Sequence, residues 1–507
     1  QFSKAFNPDN RLNALLGMEL RSSTAKGTAN KVWGYVPDRG ERIVAPTIPS
    51  EVITPNNPPT GWGILGDIYS RGWQRTDNTN NFLSFFATFA YSFKNRYVVN
   101  ANVRNDASNV FGQDLNHRID PTYSFGLSWR ASEEAFFQKH LKWITTLNFR
   151  GTFGIQGNAL TRESPELILS QQGVQPGYNR YFSTIGQIPN PYLSWERTRN
   201  WNFGVDLELF RMFYMNLEYY TRRSNAVITV DLPFEYGIDD MKRNGGIIYN
   251  RGIEYTLSFT PIQKRDFSLN INLNASKNWN KGGETKIDRN TAMYLRGGST
   301  QILKEGYPLS AFWSYSFAGL DGSNGKPMFN YVEVPDEEKS KSIDPTTYLV
   351  YSGETEPYFT GGLGFSFRYK SLSLNTSFSL LLGSKKRLPS PYSDFQGSGS
   401  MMPDPTKNVN RDLLNRWQKP GDEVYTNIPG LPTWPIEIGW TLPNTDSAES
   451  AIEMWEKSDA MVVSGSFLRC RNIGLSWQMK KEWCDKIHAK NLAINFNMDN
   501  IFVIARQ

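Results

Sequence analysis

Apolar and polar residues alternate with a period of two along much of the chain. In segment 81–94 one parity is apolar and rich in rings, and it consists of Leu83, Phe85, Ala87, Phe89, Tyr91 and Phe93. The other parity is mostly small or polar. Because successive side chains of a strand point to opposite faces, the pattern predicts a strand with one apolar and one polar face. Segment 96–104 repeats it after Lys94-Asn95, so a hairpin with a tight turn is expected.

The same alternation predicts thirteen strands. The number is odd, and the set of strands is expected to be incomplete at both ends. They cover residues 12–20, 81–93, 96–104, 122–130, 143–153, 200–210, 212–223, 251–260, 267–278, 361–369, 372–382, 466–478 and 491–499. Because unpaired strand edges are costly in lipid, the sheet needs further strands to close it. We expect segments 12–20 and 491–499 at the two edges, not paired with each other.

Alternation alone does not separate a membrane barrel from a soluble β-sandwich, but three features favour the barrel. Predicted strands of about 9–13 residues are long enough to cross a bilayer at a tilt. Rings such as Trp129 and Trp201 crowd the strand ends, where interfacial girdles lie. Charged residues, among them Arg104, Arg150 and Glu218, occupy the polar parity. Such charges suit a wet lumen and are costly in a dry core.

The connections between predicted strands alternate between short and long. Short ones are 94–95, 211, 261–266 and 370–371, and two medium ones, 131–142 and 478–490, are compatible with short helices. Long ones are 21–80, 105–121, 155–199, 224–250, 279–360 and 382–465. Membrane barrels have short periplasmic turns and long extracellular loops. The long connections are therefore expected on the outside.

Composition narrows the function classes further. The 507 residues are 14% aromatic and 21% charged, which fits neither a disordered chain nor a helical membrane protein. A net charge of +6 spread over the whole length does not indicate nucleic-acid binding, which needs a clustered basic face. Cys470 and Cys484 form no disulfide framework or metal motif.

Candidate reaction chemistry is sparse. Glu133 and Glu134 are adjacent and point apart on a short turn, so we interpret them as solvated. The acid pairs Asp239-Asp240 and Glu337-Glu338 fall in long connections, where a calcium site would need further ligands at set spacing. Calcium in these loops stays open. We expect no catalytic residue, no metal site and no cofactor.

Several segments resemble the SusC/RagA-type TonB-dependent outer-membrane transporters. Residues 97–112 look like the family segment Y-L-L-T-x-S-x-R-x-D-G-S-S-R-F-G, with departures at Asn105, Ala107, Asn109 and Val110. Residues 128–136 (SWRASEEAF) are similar to A-W-R-I-S-E-E-x-F. Further matches lie at 154–158, 190–196, 305–308, 319–321, 357–362, 466–469 and 472–473. The matches follow the family's order over about residues 81–500.

The resemblance implies an all-β fold, an antiparallel transmembrane β-barrel of 22 strands with an N-terminal plug and a segment that contacts TonB. Residues 1–507 would be a C-terminal portion of about thirteen strands, without the plug, the TonB-contacting segment or the last strand. The resemblance further implies the outer membrane of a Bacteroidetes-type bacterium and a SusD-like surface lipoprotein as lid. It leaves a dimer of SusC-SusD pairs open.

The function implied is active import of an oligomeric nutrient, a glycan or an oligopeptide, with TonB as the energy source and no covalent chemistry. One alternative is a passive porin-like or structural barrel without energy coupling. Another is a secreted β-rich glycan-binding or hydrolytic protein, which the lack of a paired-carboxylate cleft disfavours.

Aromatic residues of the predicted outer loops are the candidate substrate contacts. Their rings could stack on sugar faces or grip peptide side chains, or they could pack the loops against one another and against the lid. The candidates are Trp62, Trp73, Tyr178, Tyr181, Trp313, Tyr315, Trp417 and Trp434, and Tyr236, Tyr392 and Trp440 share their setting.

Overall fold

The computed structural model describes the strands of the chain and part of its connections. Antiparallel strands dominate these residues, and helices are few and short. The described residues are 1–30, 35–36, 42–43, 73–109, 120–158, 166–175, 180–232, 234–238, 240–283, 294–298, 303–330, 345–392, 408–431 and 451–505.

The elements are numbered in chain order. The strands are β1 (Phe2–Asn7), β2 (Asn10–Asn30), β3 (Tyr35–Val36), β4 (Arg42–Ile43), β5 (Trp73–Phe93), β6 (Tyr97–Ser108), β7 (Asp120–Arg130), β8 (Ile144–Asn158), β9 (Ile168–Gln175), β10 (Arg180–Gln187), β11 (Glu196–Leu209), β12 (Phe213–Asp231), β13 (Asp240–Gln263), β14 (Phe267–Gly282), β15 (Ala311–Tyr315), β16 (Phe317–Leu320), β17 (Pro327–Phe329), β18 (Leu349–Glu354), β19 (Phe359–Tyr369), β20 (Leu372–Leu382), β21 (Lys385–Arg387), β22 (Val462–Ser464), β23 (Phe467–Gln478) and β24 (Ala493–Ala505). The α-helices are α1 (Ala135–His140), α2 (Ala451–Glu456) and α3 (Lys481–Lys486). Single 3₁₀ turns lie at Ala131–Glu133, Phe234–Tyr236, Pro345–Thr347, Arg411–Asn415, Asp422–Val424 and Asp459–Met461, and a π turn at Tyr294–Gly298.

One sheet holds most of the strands. In the described part of the chain it has fourteen, in the order β1-β2-β5-β6-β7-β8-β11-β12-β13-β14-β19-β20-β23-β24, and every neighbouring pair is antiparallel. All thirteen predicted strands are present. The edge strands do not pair with each other, as expected.

One expectation about the sheet edges was wrong, and the strand at the other edge, placed there as expected, is longer than predicted. The first edge is β1, not segment 12–20, because Phe2–Asn7 pairs with β2 through a turn at residues 8–9. A six-residue strand is too short to show a clear alternation, and it was missed for that reason. At the other edge, residues 500–505 continue β24 instead of ending the strand at 499, since an irregular register near Asn500 interrupts the alternation.

The predicted parity is confirmed by the register. Phe89 and Leu127 lie on the apolar face with about half of each side chain exposed, and Ser128 and Arg150 pair on the opposite face. Large exposed hydrophobic side chains recur on this one parity from β2 to β24. A sheet that exposes apolar side chains along its full width needs an apolar medium against that face.

Several strands continue well past the predicted ends. Segment 224–250 is not a long loop, because β12 and β13 stay paired as far as Asp231 and Asp240 and leave only residues 232–239 between them. Likewise, β2 and β5 pair from Asn10–Phe93 to Asn30–Trp73. In the β12–β13 extension Val227, Ile228 and Thr229 are half-buried and Val230 is 3% exposed, so the contrast between an exposed and a buried face disappears. The β-branched residues still favour a strand.

Short connections occupy one end of the sheet. Lys94 and Asn95 both have positive φ angles (52° and 54°), as do Phe210 and Arg211, which is the geometry of the two-residue turns that match strand twist. The two medium connections contain α1 and α3, as predicted. Within the described ranges, no helix combines the length and apolar composition needed to span a bilayer.

The opposite end carries a second folded region, which we call the loop assembly and define as the described residues of 294–354 and 385–464. It contains the small sheets β15-β18, β16-β17 and β21-β22 together with α2. Its buried side chains form two clusters. One is centred on Trp313 and Met454, and the other on Tyr392 and Trp455.

Candidate functional site

The polar face of the sheet carries an ion-pair network centred on Arg150 of β8. Its guanidinium lies 3.3 Å from the carboxylate of Asp206 on β11 and 3.0 Å from that of Glu218 on β12. Gly204 lies between β8 and β12, and a Cβ there would come within 3.1 Å of the guanidinium. The glycine therefore lets the arginine reach across one strand to the next. Asn216 donates a 2.8 Å hydrogen bond to Asp206.

A second network lies on the same face nearer the first edge. Arg104 of β6 contacts Asp106 at 2.8 Å and Glu19 of β2 at 3.0 Å, and it donates to the Ser84 hydroxyl at 2.8 Å. The guanidinium also lies 5.6 Å from the centre of the Phe86 ring, a cation–π distance. The two networks make this face of the sheet charged, and we call it the polar wall.

In the loop assembly, the first cluster fixes two candidate rings. Trp313 and Tyr315 on β15 are 2% and 1% exposed, and they pack with Leu295, Leu349 and Met454. Tyr307 stacks edge-on against Trp313 at 4.9 Å between centroids. Burial to this degree is typical of a packing role, since a ring inside a core has no surface to offer a ligand.

Arg387 on β21 ties three segments of the assembly together. It donates hydrogen bonds to the carbonyl oxygens of Arg296 and Trp313 and, at 3.1 Å, to the Ser314 hydroxyl. Its guanidinium lies 4.9 Å from the centre of the Phe312 ring. Burial, together with the charge of Arg296, lowers the pKa of Arg387 to about 10. The side chain remains charged at neutral pH and acts as a cross-link.

The second cluster holds the segment 408–431. The Tyr392 hydroxyl donates to the Pro429 carbonyl, and burial raises the pKa of Tyr392. Trp417 donates from Nε1 to Glu423 at 3.1 Å. Its ring packs against Gly325 and Gly430, where added Cβ atoms would come within 2.3 and 3.0 Å of it. Gly325 also has a φ of 72°. Trp417 is therefore half-buried and held on both sides.

Segment 190–196 (NPYLSWE) is held against β13 by hydrogen bonds. Asn190 donates to the Lys242 carbonyl at 2.7 Å, and Asn244 exchanges hydrogen bonds with Ser194 at 2.9 Å in each direction. Within this segment, Leu193 is buried. Tyr192 at its tip is 71% exposed, so a fixed turn presents this ring to the surroundings. The sequence candidates did not include Tyr192.

The eight candidate rings therefore do not form one described site. Trp313 and Tyr315 lie in the first cluster, and Trp417 lies beside the second. Trp73 is the first residue of strand β5 and Tyr181 lies in strand β10, so neither is in a loop. Their side chains lie outside the described residues. Trp62, Tyr178 and Trp434 lie wholly outside them, as does Trp440, while Tyr236 is exposed and Tyr392 is buried.

At the short-turn end, Glu134 has a role that the sequence did not indicate. Its carboxylate accepts hydrogen bonds from Arg96 at 3.0 Å, the Tyr97 hydroxyl at 2.6 Å and Trp129 Nε1 at 3.3 Å. These bonds, the one from Tyr97 above all, lower the pKa of Glu134. The interpretation of Glu134 as a merely solvated acid was wrong, because its partners come from β6, from β7 and from the turn before β6, and not from its own turn.

Metal-binding groups do not converge in the part of the chain that the structure describes. No three His, Cys, Asp or Glu side chains there lie close enough to share an ion. Cys470 and Cys484 are free thiols, both buried. Asp239, Glu337 and Glu338, named above for loop calcium, lie outside the described residues.

Comparison with known proteins gives a consistent result. The family model described as TonB dependent receptor-like, beta-barrel matches residues 6–383. TonB-dependent receptor P3 of Formosa agariphila is 23% identical over 452 residues, which are 84% of this chain and 41% of that protein. TonB-dependent receptor SusC of Bacteroides thetaiotaomicron is 25% identical over 428 residues, or 80% of this chain and 38% of SusC. The chain spans less than half the length of these relatives.

Solved structures agree on the fold. The RagAB peptide transporter aligns with a TM-score of 0.71 at 21% identity, covering 100% of this chain and 51% of that one. The RagAB peptide importer in the open-open state gives a TM-score of 0.70 at 20% identity, over 100% of this chain and 50% of that one. The fourteen-stranded sheet and the loop assembly are thus a known arrangement.

Proposed function

This chain belongs to the TonB dependent receptor-like β-barrel family of the outer membrane, and on that premise we propose that it is the barrel portion of an active importer of oligomeric nutrients. The SusC/RagA-type resemblance, the all-β barrel fold and the outer-membrane location are confirmed. The apolar face of the sheet therefore faces lipid, and the polar wall faces the lumen. Because the chain covers only part of its relatives, the activity of the whole protein is inferred.

The polar wall is the observation that carries the proposal. It places charged, hydrogen-bonded side chains opposite a lipid-facing surface along the length of the strands, as a barrel with a hydrated path requires. The Arg150 network engages both of its carboxylates internally. A polar solute passing this wall meets charges that are already paired and amides that are exposed. Such groups bind the solute weakly, so it can move on.

We infer that two kinds of partner act with the barrel. A SusD-like surface lipoprotein would cover the long-loop end, where the loop assembly lies, and the TonB complex would supply energy from the opposite side. A dimer of such pairs is part of the proposal. The family comprises receptors and transporters, and we propose that this protein carries out no covalent chemistry.

The proposed cargo is an oligosaccharide or an oligopeptide. RagAB is described as a peptide transporter, while SusC carries no substrate in its name. Among the candidate contacts, we propose Trp62, Tyr178 and Trp434 as rings for the cargo. The burial of Trp313 and Tyr315 gives these two a packing role.

Uptake measurements test the proposal. A strain lacking the gene is complemented with the full-length protein and supplied with labelled oligosaccharides or oligopeptides, with TonB present or deleted. We expect uptake of one of the two cargo classes, lost when TonB is deleted, and co-purification of a surface lipoprotein. Uptake that persists without TonB would instead identify a passive porin-like barrel.

Orientation has its own test. We propose that the short turns at 94–95 and 370–371 face the periplasm and the long connections face outward. Protease added to intact cells should cleave within 279–360 or 382–465 and leave the short turns intact. Cleavage at the short turns in intact cells would reverse the orientation.

A further inference from the structure

The lipid-facing surface contains a groove that the barrel itself does not need. Two parallel rows of side chains cross five neighbouring strands, β6, β7, β8, β11 and β12. The register defines the first row as Tyr97, Trp129, Phe149, Val205 and Leu217, and the second as Val99, Leu127, Gly151, Phe203 and Tyr219. All ten residues line a cavity of about 560 Å³.

Gly151 creates this groove. It occupies a lipid-facing position between Leu127 and Phe203, where neighbouring rows carry large side chains. A Cβ at Gly151 would meet the Phe203 ring at 3.7 Å, an ordinary contact, so the backbone does not demand glycine there. On the short-turn side Trp129 stacks on Phe149 at 5.5 Å between centroids. The space above Gly151 is therefore open and walled by rings.

The groove slopes from the interface into the hydrocarbon. On β6 its first row begins at Tyr97, two residues from the turn residue Asn95, whereas on β12 it passes Leu217, six residues from Arg211. Strands about 4.8 Å apart place its ends about 19 Å from each other. With strands tilted by 35–45°, the groove descends by roughly 12 Å, which is within one leaflet of a hydrocarbon core about 30 Å thick.

Charges of both signs stand at the shallow end. Tyr97 and Trp129 line the groove and also donate to the Glu134 carboxylate, which Arg96 contacts at 3.0 Å. A carboxylate beside a guanidinium matches a zwitterionic headgroup, because the lipid ammonium can approach Glu134 and the phosphate can approach Arg96. A headgroup bearing only negative charge could use Arg96 alone and has no ammonium to place beside Glu134.

We propose that the groove binds one acyl chain of a zwitterionic phospholipid, held with its headgroup at Arg96 and Glu134. Since lipid tails already surround the barrel, selective retention comes from close van der Waals packing in the groove and from the headgroup pair. The periplasmic leaflet follows from the orientation proposed above, whereas the groove and its headgroup preference do not depend on transport.

Native mass spectrometry tests the proposal on the full-length protein in detergent, delipidated and then incubated with phosphatidylethanolamine or phosphatidylglycerol. The wild type should retain one phosphatidylethanolamine per barrel. Gly151→Leu fills the groove and should lower its occupancy about tenfold. Ala87→Leu adds the same side chain at another lipid-facing position, between Leu16 and Val103, and should retain lipid as the wild type does.

Three results would overturn the proposal: equal retention by Gly151→Leu and wild type, equal retention of phosphatidylglycerol, or a Gly151→Leu change from dimer to monomer mass. The last would assign the groove to a second copy of the protein. A mobility shift on boiling verifies that each variant is folded. Leu127→Phe narrows the groove from its other wall and should also reduce retention, which keeps the test valid if Gly151→Leu fails to fold.

Discussion

The sheet and the loop assembly belong to one chain but are stabilised in opposite ways. In the sheet, large apolar side chains such as Leu127 and Trp201 are about half exposed, and the strands are held by continuous backbone register. In the loop assembly, Trp313, Tyr315 and Trp455 are at most 2% exposed, and the backbone pairing is limited to two-stranded pieces. The only large side chains buried below 2% among the described residues, apart from the cysteines, lie in or beside this assembly.

The difference follows from the two solvents. Lipid supplies no hydrophobic force between apolar groups but penalises every unpaired backbone group, so hydrogen-bonded strands are the stable solution there. Water drives apolar rings together and tolerates irregular backbone at the surface. One chain therefore contains a membrane fold and, at one end of it, a small water-soluble fold.

The largest expected effect is on stability and comes from replacing a tryptophan by alanine, once in each region. Trp455→Ala empties part of the second cluster and should destabilise the loop assembly by about 3–5 kcal/mol. Trp201→Ala removes a ring already surrounded by lipid and should cost less. Hydrogen exchange should rise across 408–431 and 451–464 in Trp455→Ala while exchange in β5–β8 stays unchanged. Loss of protection in the sheet as well would show that the regions unfold together.

The second expected effect tests the two faces of the sheet. Arginine at Phe89 or Leu127 should cost about 2–4 kcal/mol, as it places a charge in hydrocarbon. Arginine at Ser128 or Asn272, on the polar wall, should be tolerated. Denaturant unfolding of the full-length barrel in bilayers measures both. Equal costs on the two parities would contradict the register.

The third expected effect concerns Arg387, the cross-link inside the loop assembly. Arg387→Met keeps most of the packing but leaves the carbonyls of Arg296 and Trp313 without this donor, at a cost of about 1–3 kcal/mol. Arg387→Lys should recover only part of the loss, because an ammonium cannot reproduce the planar fork. Proteolysis rates within 294–354 report the effect. Matching rates for Met, Lys and wild type would show that Arg387 is not a cross-link.

The smallest effect is a pH dependence at the short-turn end. The folded-state pKa of Glu134 is lowered, so its contribution to stability is present above the unfolded value of about 4.3 and is lost as the pH falls through the folded value. The protection of amides 131–140 against hydrogen exchange, relative to the intrinsic rate at each pH, should fall at acid pH in the wild type. Glu134→Gln should show the lower protection already at neutral pH, with little further change on acidification.

The sequence predicts the sheet better than the loop assembly, for a physical reason. Strand faces are encoded locally, since Phe89 and Leu127 show their orientation through neighbours two residues away. The pairing of Trp455 with Tyr392, or of Arg387 with Arg296, joins positions 63 or more apart and leaves no local period. The same limit hid Glu134, whose partners lie on β6, on β7 and in the turn before β6. At the far ends of β12 and β13, partial burial on both faces removes the alternation that marks a strand.

The length of the β12–β13 hairpin also sets how far the proposed entrance stands from the membrane. β13 is 24 residues long, about 79 Å along the strand and about 55 Å in height at a 45° tilt. Roughly 25 Å of it stands clear of a hydrocarbon core about 30 Å thick, ending in a connection of few residues. With the orientation and import function proposed above, this hairpin would lift its side of the entrance away from the headgroup layer. Cargo would then meet that part of the rim in bulk solution.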